Sequence, residues 1–131
     1  MSEHPNATRV RQLFRAFREH DLDAIRDAIA ENAVWHFPGR TGQLAGSHEG
    51  HAGIFAFLAR VSELTGDTFE LDLGDVLAND AHAIALFRGH AQRSGRTLYN
   101  PTCLVIRFEA GRAIEIREFV WDSYDVDEFW T

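Results

Sequence analysis

Ala83-Ile84-Ala85-Leu86-Phe87-Arg88-Gly89-His90 and Ile114-Glu115-Ile116-Arg117-Glu118-Phe119 are the stretches whose reading decides the fold. Both read as strands. Counted by twos, Ile84, Leu86, Arg88 and His90 share one face of the first, and Ile114, Ile116 and Glu118 share one face of the second. Each face begins apolar and ends in ionisable groups. An apolar floor with a few polar groups at one end is how a small-molecule pocket is built. The expectation is that Arg88, His90 and Glu118 meet inside such a pocket, with Ile116 in its floor.

Working outward, Phe69, Leu71 and Leu73 alternate, and Gly74-Asp75 shifts the phase to Val76, which predicts a bulge. Asn79-Asp80, Ser94-Gly95 and Ala110-Gly111 are turn signals separating strands at 82–92, 97–108 and 113–121. Pro101 predicts an edge position or a bend. Toward the N-terminus, Val10, Leu13, Phe14 and Phe17 carry a helix over 7–20, with Arg residues and Glu19 on its opposite side. Asp21 is placed to cap a second helix bearing Leu22, Ile25 and Ile29. A short strand at 33–37 stops at Pro38-Gly39, the stretch 39–50 reads as a loop, and Ile54, Phe57, Leu58, Val61 and Leu64 predict a third helix over 51–64. The tail after Asp122 reads equally as a helical turn or a loop. Helices segregated from a run of strands make an α+β layout. Three N-terminal helices packed on a curved antiparallel or mixed sheet leave a cone-shaped cavity. The uncovered sheet face then calls for a homodimer through the sheet.

Composition narrows the function classes. The 131 residues carry a net charge of −7, and all thirteen basic residues are Arg. Acidity without a basic cluster argues against nucleic acid or an anionic membrane as partner. One cysteine, Cys103, excludes an internal disulfide. Met1-Ser2-Glu3-His4-Pro5 lacks the pattern of a secretory leader, so a cytoplasmic location is the expectation. There is no phosphate-cradling glycine loop and no serine elbow. Chemistry without a cofactor is therefore the enzymatic class to consider.

Phe14-Arg15-Ala16-Phe17 with Asp21-Leu22-Asp23-Ala24-Ile25, then Ala33-Val34-Trp35-His36-Phe37-Pro38-Gly39, Leu44-Ala45-Gly46, Glu49-Gly50 and the closing Gly111 to Phe119 resemble the nuclear-transport-factor-two-like superfamily. The nearest branch is the SnoaL-like one, with polyketide cyclases; ketosteroid isomerases and limonene-epoxide hydrolases are relatives. The resemblance covers roughly residues 7–130 as a single domain and implies a cystatin-like α+β barrel. It is specific for fold and weak for reaction, because one fold hosts many activities.

In epoxide hydrolases of the superfamily, an Arg-x-Asp on one strand faces an Asp on the last. Arg88-Gly89-His90 resembles the first element, with His for Asp, and Glu118 resembles the second. The resemblance thus implies His90 and Glu118 as an acid–base pair with Arg88 beside them. The alternative is an Arg88–Glu118 pair that only satisfies itself. Ketosteroid isomerase chemistry is not implied: Phe37 stands where those enzymes carry a catalytic Asp, and Leu104 where they carry a second acid.

Alternation puts Trp35 and Phe37 on one face and His36 on the other, so one set looks into the cavity. If Leu104 points inward, so do Asn100 and Thr102, which would bond a ligand oxygen or satisfy backbone groups near Pro101. Trp121, Phe129 and Trp130 are candidates to close the cavity mouth or to dock on a partner subunit. His48 and His51 straddle a loop–helix boundary without a third ligand at metal-site spacing, so no metal is expected. The expected ligand is a small apolar molecule bearing oxygen, handled by a cofactor-independent cyclase, isomerase or hydrolase. The alternative is a non-catalytic binding or accessory protein.

Overall fold

Residues 3–131 are described by a computed structural model, so the reading of Met1-Ser2 lies outside the described residues. α1 (Pro5–Glu19) opens with proline in its first turn and buries Val10, Leu13 and Phe14 at the predicted spacing. It ends at His20, whose φ of 53° is left-handed. The Asp21 side chain accepts from Ala24 N at 3.1 Å and caps α2 (Leu22–Ala28). β1 (Ile29–Phe37) follows α2 directly and begins earlier than its aromatic residues suggested. β2 (Gly46–Glu49) pairs antiparallel with β1 where a loop was expected; its sequence has no apolar alternation to announce a strand. α3 (Gly50–Thr65) buries Ile54 and Phe57 and stops at left-handed Gly66.

β3 (Glu70–Ala78), β4 (His82–Arg93), β5 (Arg96–Glu109) and β6 (Arg112–Val120) form the meander, and α4 (Ser123–Phe129) settles the tail as helix. The register shift between Leu73 and Val76 is the predicted bulge. The sheet runs β2-β1-β6-β5-β4-β3, and its β1–β6 pair is parallel, so the curved sheet is mixed. No helix among the described residues is long and apolar enough to cross a membrane.

Pro101 is a correction. It lies on β5, inside the sheet, opposite Arg88. In an antiparallel strand the N and O of one residue point to the same neighbour. Pro101 O accepts from Trp121 N at 3.1 Å, just past Val120, the last residue of β6. The missing donor therefore falls where β6 has already left the sheet.

The face assignment of β4 is a second correction. Ala83, Ala85, Phe87 and Ala91 face the helices and are buried, whereas Ile84 and Leu86 are 37% and 42% exposed on the outer face. The small residues leave room on the inner side for α1, whose Phe14 ring meets Phe87 edge-on at 5.3 Å. Arg88 and His90 keep the parity of Ile84 and therefore also lie outside. On β5 and β6 the inner faces carry Leu98, Asn100, Thr102, Leu104 and Ile106, and Ile116, Glu118 and Val120, as the sequence predicted for Ile116 and Glu118.

Candidate functional site

A cavity of about 760 Å³ lies between the helices and the inner sheet face. Trp35, Phe37, Phe57, Phe87, Leu104 and Trp130 supply much of its apolar wall. A smaller hollow of about 250 Å³ sits on the surface beside the His4–Asp80 pair and holds no comparable grouping.

Glu118 of β6 is an ionisable group at the sheet wall of the large cavity, and Glu70 of β3 is the other lining acid. The β5–β6 register sets Glu118 opposite Leu104, and the parallel β1–β6 register sets Trp35 beside Ile116. The indole of Trp35 therefore reaches forward to Glu118, and Nε1 donates to Oε1 at 3.2 Å. Among the described residues no cation pairs with this carboxyl. Desolvation pushes its pKa up to about 7, with the Trp35 bond opposing. The side chain is half-buried and lines the cavity.

Asn100 and Thr102 line the same cavity and are 3% and 8% exposed. Asn100 Oδ1 accepts from Asp122 N at 3.4 Å, and Thr102 Oγ1 donates to Asn100 O at 3.2 Å. Asn100 Nδ2 is buried without a partner among the described residues. It belongs four residues along β5 from Leu104, roughly 13 Å of strand from the row of Glu118. An orphaned buried donor is rare in a folded protein and marks a place where a partner is wanted.

Of the sequence-predicted residues, Glu118, Trp35, Phe37, Asn100, Thr102 and Leu104 come together at the cavity. Ile116 is fully buried behind the wall and is not part of its surface. Arg88, His90 and His36 do not join them, because each sits on the outer strand face. The Arg88 guanidinium lies 6.0 Å from the Tyr99 ring centroid, and His90 meets the same ring edge-on at 4.8 Å. The expected Arg88–Glu118 pair is therefore absent, and so is the His90–Glu118 pair. His36 bridges Ser47 Oγ at 2.8 Å and Glu115 Oε2 at 3.0 Å. That bond, with Arg117 and Arg107 nearby, holds the Glu115 carboxyl below its ordinary range.

His48 stacks on Phe57 and donates from Nε2 to Leu44 O at 2.7 Å, whereas His51 donates to Ile29 O at 2.7 Å. The two rings are committed to separate carbonyls. Trp130 lines the cavity with Phe129 packed edge-on against it, while Trp121 is 86% exposed.

Two features escaped the sequence reading. Arg18, His20 and Arg26 reach the cavity mouth, although the arginines of the first helix read as lying on the side opposite its apolar stripe and His20 and Arg26 carried no signal. Asp127 on α4 accepts N–H bonds from Arg40, Thr41 and Gly42 and a hydroxyl bond from Thr41. These donors lower its pKa to about 2 and tie the 40–42 segment to α4, with Trp130 at the cavity wall. Its distance in sequence from that segment left no local signal.

The fold has close counterparts. Bal32a, from a soil-derived mobile gene cassette, is 40% identical and superposes with a TM-score of 0.93 over 97% of each chain. A Xanthomonas campestris protein described as having a cystatin-like fold is 26% identical, with a TM-score of 0.88 over 94% of this chain and 95% of its own. An NTF2-like protein from Burkholderia xenovorans LB400 is 24% identical, with a TM-score of 0.82 over 100% and 99%. The SnoaL-like domain model matches residues 10–116, from the buried Val10 of α1 to the buried Ile116 of β6. The chain belongs to the SnoaL-like domain family and shares the fold of that NTF2-like protein.

Proposed function

We propose that the cavity binds an apolar, oxygen-bearing small molecule and that Glu118 exchanges a proton with it, without a cofactor. The observation that supports this is a carboxyl facing an aromatic cavity, with no cation beside it among the described residues and a pKa of about 7. Near neutral pH such a group is divided between its two forms and serves as base and acid in turn. The ionised form takes a proton from a carbon next to a carbonyl. The C–H electrons pass into the enolate, and Glu118 returns the proton at another carbon or at oxygen. Asn100 Nδ2, unpaired among the described residues and farther along the same inner face, is a donor for a second oxygen of the ligand. Trp35 holds the carboxyl in place, and the apolar body of the ligand displaces water from the cavity it fills.

One carboxyl at this wall favours isomerisation or cyclisation over two-carboxyl hydrolysis. The other lining acid, Glu70, is on β3, three strands from β6. The test is deuterium incorporation from heavy water into polycyclic ketones and cyclic diketones, followed by NMR. Wild type should exchange the carbon-bound proton, and Glu118→Gln should not. Equal exchange by a folded Glu118→Gln would end the proposal. Ligand binding without exchange would leave a binding protein.

A second copy of the chain is the proposed cover for the outer sheet face. Ile84, Leu86, Tyr99 and Phe119 are 37–54% exposed there, and the register lines up Leu86, Cys103 and Phe119 across three strands. Such a continuous apolar strip marks an association surface.

A further inference from the structure

Two sets stand out among the polar groups lining the cavity, with Ser62 of α3 and Glu70 of β3 in neither. Glu118, Asn100 and Thr102 belong to the sheet wall, and Arg18, His20 and Arg26 to the end formed by the α1–α2 junction. The second set is sorted by sign. Around that junction the acids Glu19, Asp21, Asp23 and Asp27 do not reach the cavity, while the two arginines and the imidazole do. This happens on a chain of net charge −7. Among the described residues Arg18 has no ion-pair partner. Arg26 lies 4.9 Å from the Phe55 ring centroid and reaches Asp23 only at 3.7 Å. Cations in the last turns of two helices offset the helix dipoles. That role does not require them to line the cavity, and exposed Leu22 joins them there as an apolar lip.

We infer that the ligand is an apolar acid: its hydrophobic body lies among the aromatic side chains and its carboxylate stays at the mouth, held by Arg18 and Arg26 with His20 beside them. Guanidinium groups pair with a carboxylate through two parallel bonds, which gives orientation as well as attraction. The oxygen-bearing end then points inward toward Glu118 and Asn100. Among the described residues lining the cavity, Glu70 and the ionised form of Glu118 oppose this charge. The inference rests on the cavity being the ligand site.

Pyrenebutyric acid and pyrenebutanol, alike except in charge, provide the test by fluorescence titration at pH 7.5 and low salt. The acid should bind about tenfold more tightly, equivalent to one charge-assisted contact at a solvated rim. Arg18→Gln should remove most of that preference without changing the affinity for the alcohol, added salt should shrink it, and Glu70→Gln should increase it. Ala59→Trp, at an exposed position on the same lining, should weaken both probes by obstructing entry. Equal binding of acid and alcohol, unaltered by Arg18→Gln, would overturn the inference and leave the cavity reading standing. Failure of both probes to bind wild type would overturn both.

Discussion

The indole Nε1 of Trp35 donates to Glu118 Oε1 at 3.2 Å, the one side-chain hydrogen bond to this carboxyl among the described residues. Burial raises the proton affinity of the acid, and this bond restrains the rise. Glu118 therefore titrates in the folded protein at about 7 instead of near 4.5. Between those values the folded state binds more protons than the unfolded state, so stability falls as pH rises through that window.

Glu118→Gln removes the titration and keeps an oxygen for Trp35. The gap between 4.5 and about 7 corresponds to about 3 kcal/mol. The variant should match wild type at pH 4 and exceed it by an amount of that order at pH 8. Urea unfolding at both pH values checks this.

Trp35→Phe keeps an aromatic ring between Phe17 and Phe57 but deletes the donor. It should cost about 1–2 kcal/mol and move the Glu118 midpoint above the wild-type value. An unchanged midpoint would mean that the indole bond does not act on the acid.

Arg88→Ala and His90→Ala should each leave the Glu118 midpoint and ketone exchange at wild-type levels, because both residues are on the outer face. A loss of exchange in either variant, with folding intact, would contradict that placement.

Asp127→Asn should loosen the segment it holds. Hydrogen exchange at the amides of Arg40, Thr41 and Gly42 should speed up, while α1 remains protected. The folded pKa of Asp127 is lowered from 3.8 to about 2. Its contribution is therefore complete above 3.8 and disappears as pH falls through about 2. The difference between wild type and variant should shrink in acid.

Leu86→Glu places a charge at the centre of the apolar strip. Light scattering should give two copies for wild type and one for the variant, with unchanged helix content. A wild type that remains single across concentrations would remove the dimer proposal.

Much of this arrangement was legible in the chain because local rules and burial agree. Asp21 caps α2, the bulge follows Leu73, and alternation groups Trp35 with Phe37, Leu104 with Asn100 and Thr102, and Glu118 with Ile116, while the inward direction of the first two groups comes from the structure. β4 misled because the larger residues were taken for the buried ones. Its inner face carries alanines and Gly89, with the Phe69 ring 3.4 Å from where a Gly89 Cβ would sit. Small residues there make room for helices, aromatic rings and cavity, while Ile84 and Leu86 face outward. Once that parity is reversed, Arg88 and His90 leave the site, and Glu118 stands without a cation among the described residues. The mouth arginines were hidden for another reason: periodicity gives a helix side but not which exposed turn borders a cavity.

The most direct test is the pH titration of the Glu118 side-chain carboxyl carbon in selectively labelled protein, assigned by comparison with Glu118→Gln. A midpoint near 7 is the predicted result. A midpoint near 4.5 would mean that the carboxyl is solvated or paired in solution, and the single-acid account of this cavity would fail.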